Sequence, residues 1–434
     1  MTTGKWMQCS VQTFIDCAEA ETKTGPFGTQ LKASEYVEHG TPVINVRNIG
    51  FGTIKTDKLE YLASETVQRL SSHLLQVNDI VFGRKGAVER HVLIRPEQNN
   101  WFQGSDCLRL RFKSKRIDPR FVSYFLITDE HKQWMMNQCS HGATMASLNQ
   151  EIIWRIPLLL PDINTQRKIA SILSAYDDLI ENNTRRIAIL EAMAQAIYRE
   201  WFVEFCFPGH QKVKFVNSPL GRIPEGLRVV KVEDAIFINP RTTVSRDGEK
   251  PFVSMGAVPH NTMLIDVVAT EMRTGNSGSK FKNGDTLFAR ITPCLENGKT
   301  AFVQFLPTQN AVAFGSTEFI VLRSQTVCPE FVYLLARSDA FRDNAIKSMS
   351  GATGRQRVQE KCFDKFFFAH PDGETLAAFS AMMQPLFRQV FTLDKNNRNL
   401  RTTRDLLLPK LISGQIDVED LDIETKESLV EAEV

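Results

Sequence analysis

The chain lacks any apolar run approaching the roughly 20 residues that a bilayer span requires. Its N-terminus also lacks the charged, apolar and small-residue succession of a secretory signal. No membrane partner is expected, and the cytoplasm is the expected compartment. Its eight cysteines, Cys9, Cys17, Cys107, Cys139, Cys206, Cys294, Cys328 and Cys362, show no paired spacing, no CxxC and no histidines arranged beside them as metal ligands. They read as buried or incidental thiols of a reducing compartment, and no metal site is expected. Neither charge sign dominates, since the net charge is +2. That balance hides an asymmetry. After Gln415 there are eight acids and one Lys, which leaves 51 bases against 42 acids in the rest of the chain and favours a polyanionic partner.

Catalytic motifs are missing too. A phosphate-cradling loop needs Gly five residues before the Gly of Gly298-Lys299-Thr300, and that place is Pro293. Asn239-Pro240-Arg241 is only a fragment of the Asn/Asp-Pro-Pro-aromatic loop that presents an amine to a methyl donor. There is no HExxH and no Cys/His cluster, so no catalytic residue and no metal ligand is assigned.

What is present is a repeat. At 434 residues, with 42% hydrophobic and 24% charged residues, the chain has the composition of an ordinary globular protein of two or three domains. Val81-Phe82-Gly83-Arg84 returns as Leu287-Phe288-Ala289-Arg290, each behind an Asp-containing turn, Asn78-Asp79 and Gly284-Asp285. Gly104-Ser105 returns as Gly315-Ser316, Asp118-Pro119-Arg120-Phe121-Val122 as Cys328-Pro329-Glu330-Phe331-Val332, and Gly142-Ala143-Thr144 as Gly351-Ala352-Thr353. Pro161-Asp162 returns as Pro371-Asp372 and Asn182-Asn183 as Asn396-Asn397. A spacing of roughly 210 residues held over so many landmarks indicates tandem duplication. Within each copy, short apolar runs such as 41–46, 106–112 and 317–322 alternate with turn residues as strands do, and one helix is expected from Pro119 to Gln138 and one from Pro329 to Met349. The fold class is therefore α+β.

The period changes after each copy. Ile169, Tyr176, Asn183, Leu190 and Ile197 recur every seventh residue, with Ile172, Leu179, Arg186 and Met193 as the companion set. In the second copy Leu386, Leu393, Leu400 and Leu407 hold one seam position and Val390, Asn397, Arg404 and Leu411 the other. Two long helices packed as an antiparallel coiled coil are expected, with Asn183 and Asn397 at equivalent seam positions where a buried Asn fixes register. The plainer alternative is that each helix covers its own domain. Pro208-Gly209 and Gly414 are the expected stops. At about 1.5 Å per residue each helix is some 57 Å long, enough to hold two domains about one turn of DNA apart.

The candidate contacts with a polyanionic partner such as double-stranded DNA lie in the duplicated turns. Arg84 and Lys85 follow a strand, as does Arg290, and Arg90 and Lys299 are nearby bases. Arg can grip guanine O6 and N7 with two donors, whereas Lys more often neutralises phosphate. Thr144 in one copy, and Thr353, Arg355, Gln356 and Arg357 in the other, combine small residues with hydroxyl, amide and guanidinium donors. A solvated hairpin tip or a structural turn would use similar residues.

Several stretches resemble the DNA specificity subunits of type I restriction-modification systems. They are Pro161-Asp162-Ile163-Asn164-Thr165-Gln166-Arg167-Lys168-Ile169-Ala170, Ser218-Pro219-Leu220-Gly221-Arg222-Ile223-Pro224-Glu225-Gly226, and Arg404-Asp405-Leu406-Leu407-Leu408-Pro409-Lys410-Leu411-Ile412-Ser413-Gly414. The resemblance implies target-recognition domains over 1–160 and 207–372, a central conserved helix or spacer over 161–206, a C-terminal conserved helix over 373–416 and an acidic tail over 417–434, expected to be solvated and mobile. It implies a pseudo-twofold reader of a bipartite asymmetric DNA site. It further implies two methyltransferase subunits acting on adenine and restriction or motor subunits, with S-adenosylmethionine, Mg2+ and ATP belonging to those partners and none to this chain. A protein-interaction scaffold and a self-contained DNA-modifying enzyme are the alternatives. Two departures stand out. Leu227 replaces a Trp that Trp6 supplies in the first copy, which is expected to change only packing, and the second helix begins Glu374-Thr375-Leu376-Ala377 in place of Gln166-Arg167-Lys168-Ile169.

Overall fold

The computed structural model describes residues 6–139, 146–352 and 354–425. The chain divides into two compact units, one made of Met1–Leu179 with Leu400–Val434 and the other of Ile180–Asn399.

In the first unit a five-stranded sheet runs in the order Ala20–Thr24, Cys107–Phe112, Ile80–Gly83, His91–Leu93, Phe51–Gly52. Alternation along these strands divides the core, because successive side chains point to opposite faces. Ile80, Phe82, Leu108 and Leu110 pack against Phe121, Val122, Ile169 and Leu173. Val81, Val92 and Cys107 point the other way, toward Ile44 and Ile49. A four-stranded sheet, ordered Tyr36–Val37, Glu60–Leu62, Thr41–Ile44, Phe102–Gln103, holds a smaller core of Leu31, Val43, Leu62 and Phe102.

The second unit repeats this plan. Ile236–Ile238, Phe319–Ser324, Thr286–Ala289 and Thr300–Phe302 form its main sheet, and Glu271–Arg273, Lys250–Val253, Val312–Gly315 and Ser279–Lys282 the other. Phe288, Ile320 and Leu322 pack on the helical side, while Leu287, Phe319 and Val321 join the opposite core. A parallel pairing also recurs in the secondary sheets, Val43 with Phe102 and Phe252 with Phe314. The repeated glycines follow from that pairing. A Cβ on Gly104 would lie 2.6 Å from the Ile44 carbonyl oxygen, and one on Gly315 2.5 Å from that of Val253, so neither position admits a side chain.

Each expected domain helix is broken in two. Pro119–Leu126 is followed by Asp129–Cys139, and Pro329–Arg337 by Asp339–Lys347, where the Ser338 hydroxyl accepts from Phe341 N–H and restarts the helix. Ser and Thr compete for backbone groups in this way, and Thr128 occupies the corresponding break in the first unit.

The long helices span Ile163–Phe202 and Gly373–Ile412. They begin alike: Asp162 accepts from Asn164 and Thr165 N–H and from the Thr165 hydroxyl, and Asp372 from Thr375 N–H and hydroxyl. Partial burial works against these carboxylates, yet the hydrogen bonds outweigh it and hold both below the usual range. The first stop comes early, at Phe202 rather than Pro208, because Phe205 adopts the left-handed conformation, φ 57°, and Cys206 N–H folds back onto the Glu200 carbonyl at 2.7 Å. The second ends as expected at Gly414, φ 71°, where a Cβ would meet the Trp6 ring at 3.0 Å. Trp6 and Gly414 thus belong together.

Within the second unit Asn183 donates to Asn397 at 3.0 Å while Trp201 packs on Phe379 at 5.8 Å, so the helices run antiparallel there. The C-terminal seam is as expected, with Val390, Leu393, Asn397 and Leu411 buried and Leu386, Leu400 and Leu407 partly so. In the central helix Ile169 is buried and Tyr176, Asn183, Leu190 and Ile197 are half-buried. Its companion set is wrong: Leu179 is 52% and Met193 47% exposed, and the buried positions are Leu173, Ile187, Ala194 and Trp201. The reason is that the helices also cover the domains. Ile187, Ala194, Tyr198 and Trp201 share one core with Phe331 and Phe368, and Leu173 shares another with Phe121. The coiled coil and the plainer alternative are therefore both realised. The described part of the tail, up to Thr425, also departs from expectation, while 426–434 lie outside the described residues. Val418 is buried, Ile416 and Ile423 pack on the first unit's core, and Lys168 donates to the Glu419 carbonyl at 2.7 Å.

Candidate nucleic-acid interface

The two expected loop groups meet in each unit. Arg84 N–H donates to the Asp106 carbonyl (2.8 Å) and the Arg84 carbonyl accepts from Leu148 N–H (2.8 Å). Arg290 repeats this with Glu318 (2.9 Å) and Val358 (2.8 Å). Lys85 bridges Ser147, Gly86 N–H reaches the Ala146 carbonyl, and in the second unit Ile291 bridges Arg357 while Thr292 donates through both N–H and hydroxyl to the Gln356 carbonyl. Residues far apart in sequence thus form one rim at the end of the main sheet.

The side chains on that rim differ. Arg84 is half-buried and has no side-chain partner among the described residues, and Lys85 is exposed, its Nζ 3.7 Å from Asp106. Arg90 lies 3.8 Å from Glu89 with its guanidinium over the Phe51 ring at 5.5 Å, so it is held by its own unit. Arg290 turns inward, Nη1 to Glu360 (3.0 Å) and Nη2 to the Val358 carbonyl (3.2 Å), and Lys299 Nζ donates to the Met255 carbonyl at 2.8 Å. Those two organise loops. Arg355 is exposed, Gln356 half-buried, and Arg357 is clasped by Glu318. Thr144, with 140–143, and Thr353 lie outside the described residues. The acids Asp106, Glu318 and Glu360 have no signature in the sequence patterns above, although Asp106 directly follows the repeated Gly-Ser and Glu318 stands two residues behind it.

Behind the rim, charge is balanced in the core. Asp79 is buried and takes two hydrogen bonds of 2.6 Å from Arg111, and Asp285 takes bonds of 2.7 and 2.6 Å from Arg323. Each Asp also accepts a turn N–H, from Gln76 and Lys282. This fixes the turn before the strand that ends at Arg84 or Arg290.

The first unit also buries three imidazoles. Burial, reinforced by His131, pushes His91 down to about 3, with its Nε2 2.9 Å from the Ser123 hydroxyl. Burial lowers His131 to about 4, and burial with Lys23 and Arg109 lowers His73 to about 4. Unfolded, each protonates near about 6.5. Their neutral forms therefore support the fold fully above that pH and lose ground as it falls toward 4, each costing about 2 kcal/mol by pH 5. In the second unit burial raises Glu191 and Glu330 instead, so that unit gains on mild acidification. Hydrogen exchange at pH 7 and pH 5, corrected for intrinsic rates, should show 6–179 losing protection before 180–399; simultaneous loss, or the reverse order, would refute this.

Among the described residues no group of three or more His, Cys, Asp or Glu could hold a metal ion, and no helix is long and apolar enough to cross a membrane.

The type I restriction modification DNA specificity domain matches residues 28–192. The type I restriction enzyme MjaIX specificity subunit of Methanocaldococcus jannaschii is 26% identical over 318 residues, covering 69% of each chain. The HindI specificity subunit of Haemophilus influenzae is 22% identical over 435 residues, covering 86% of this chain and 94% of its own. A crystallised type I S subunit from M. genitalium shares the fold, with a TM-score of 0.57 at 13% identity over 94% of this chain and 96% of that one. The duplicated sheets and the long helices agree with these likenesses: the chain carries a match to the type I restriction modification DNA specificity domain and is similar over most of its length to type I specificity subunits.

Proposed function

We propose that each unit reads one half of a bipartite, asymmetric DNA site, and that the chain positions two methyltransferase subunits for adenine methylation and the restriction subunits for cleavage. The observation that carries this reading is the twofold recurrence of one rim, built on Arg84 and on Arg290, with different side chains on the two copies. The same frame with different donors is what unequal half-sites require. Two modest readings combine usefully, because each correctly read base pair contributes about 1 to 3 kcal/mol and the second contact is intramolecular. S-adenosylmethionine, Mg2+ and ATP belong to the partners in this scheme.

The test is expression of the chain with its methyltransferase subunit in a host lacking adenine methylation, followed by mapping of N6-methyladenine. A single split motif with a constant gap is expected. A stable complex that methylates nothing, together with no salt-dependent DNA affinity of the chain, would favour a scaffold instead.

A further inference from the structure

The bases on the second unit's rim are unequal. Arg290 commits Nη1 to Glu360 and Nη2 to the Val358 carbonyl, and Lys299 commits Nζ to the Met255 carbonyl. Arg357 commits Nε and Nη2 to one carboxylate. Glu318 takes its Nε at 3.0 Å on both oxygens and its Nη2 at 2.6 Å, while 47% of the Arg357 side chain stays exposed. A guanidinium presents two edges with paired N–H groups, Nε with Nη2 and Nη1 with Nη2. Glu318 occupies the first, and the second has no partner among the described residues.

The backbone is as constrained as the head. Ser350 and Arg357 exchange N–H and carbonyl bonds of 3.1 and 2.9 Å, closing a hairpin loop, and Arg357 also bridges Ile291 at the end of the main sheet. Glu318 stands at the foot of strand Phe319–Ser324, and its carbonyl accepts from Arg290 N–H. An Arg fixed at both ends presents its free edge in one direction, so little entropy is lost on contact. Phosphate contact needs no such fixing, since a flexible Lys or Arg serves. A paired, oriented N–H edge matches guanine O6 and N7 in the major groove.

We infer that Arg357, positioned by Glu318, reads a guanine in the half-site contacted by the Ile180–Asn399 unit. The inference rests on the proposed DNA-reading role. Among the described residues the first unit has no equivalent reader at this place. Asp106 keeps the acid of Glu318, but Ser147 stands where Arg357 does, and the base facing the acid is Lys85, a single ammonium at 3.7 Å. Guanine reading here belongs to one half of the site.

The experiment maps N6-methyladenine for the full chain with its methyltransferase subunit, as wild type, Arg357→Ala, Arg357→Lys and Glu318→Gln. The wild-type motif is expected to contain a G·C pair in the affected half. Arg357→Ala should reduce preference for it by roughly ten- to a hundredfold, leaving the other half and the gap intact. Arg357→Lys should relax the same position, since it keeps the charge and loses the fork, and it decides the matter if the alanine variant does not fold. Glu318→Gln should relax that position several-fold less. An unchanged motif in both Arg357 variants, an even fall in methylation without relaxation, or a wild-type half-site without G·C would overturn the assignment while the DNA-reading role stands. An unchanged motif in Glu318→Gln alone would overturn the positioning role of Glu318. A wild type that methylates no split motif would remove both the inference and the reading beneath it.

Discussion

Replacing Arg323 with Leu is expected to lower the stability of the Ile180–Asn399 unit by about 3 to 5 kcal/mol, because the substitution leaves a fully buried carboxylate, Asp285, without its counter-charge. Two hydrogen bonds to Asp285 disappear together, along with the bond from Arg323 to the Thr242 hydroxyl at 3.0 Å. Removing both charges is a different experiment. In Asp285→Leu with Arg323→Leu no charge remains to be desolvated, so most of the loss should be recovered, short of the roughly 1 kcal/mol contributed by the Lys282 N–H bond to the aspartate. Urea denaturation of the three proteins measures this, and a double variant no more stable than Arg323→Leu would refute it. The pair has a second consequence. Thr286 faces Leu322 in the ladder, so a slip of one residue would separate Asp285 from Arg323. The pair therefore pins the register of the strand that delivers Arg290, as Asp79 with Arg111 does for Arg84.

The repeat was legible because its landmarks are residues with few substitutes. Gly104 and Gly315 pass over a backbone carbonyl, Asp162 and Asp372 cap helices, and Asp79 and Asp285 are buried acids. The C-terminal seam was legible because Val390, Leu393 and Leu411 are apolar on one side of the helix. The central helix carries Leu179, Ile189 and Met193 on its exposed face, while buried Glu191 lies in the core with its carboxylate bound to Thr262 and Met263 N–H. Periodicity weighs apolarity alone, and here two domain cores, not the partner helix only, select the buried face.

The rim was legible as a place and not as a set of roles. Strand, Arg and repeated turn marked it correctly, yet Arg290, Lys299 and Arg357 read alike as bases in loops. Their difference lies in which oxygens come within reach: the Glu360 carboxylate with the Val358 carbonyl for Arg290, the Met255 carbonyl for Lys299, and the Glu318 carboxylate alone for Arg357. Those oxygens are supplied by segments about 40 to 70 residues away, and long-range proximity of this kind has no local signature.

Inserting one heptad into each long helix, between Leu179 and Ile180 and between Asn399 and Leu400, is expected to lengthen the gap in the recognised site by about three base pairs without altering either half. Seven residues add about 10.5 Å of helix at 1.5 Å per residue, and B-DNA rises about 3.4 Å per base pair. A heptad, rather than a single turn, returns the seam to the same face. It therefore leaves the domain contacts in place: Asp177 with Tyr124 and Arg404 on one side, and Asn183 with Asn397 and Glu191 with Thr262 on the other. An insertion in only one helix has the opposite effect. It breaks the pairing of the seams, and loss of methylation is expected instead of a new gap. N6-methyladenine mapping distinguishes the cases directly. A doubly lengthened chain that keeps the original gap would show that the helices do not set the spacing, and one that changes a half-site sequence would show that the insertion reached the reading surface.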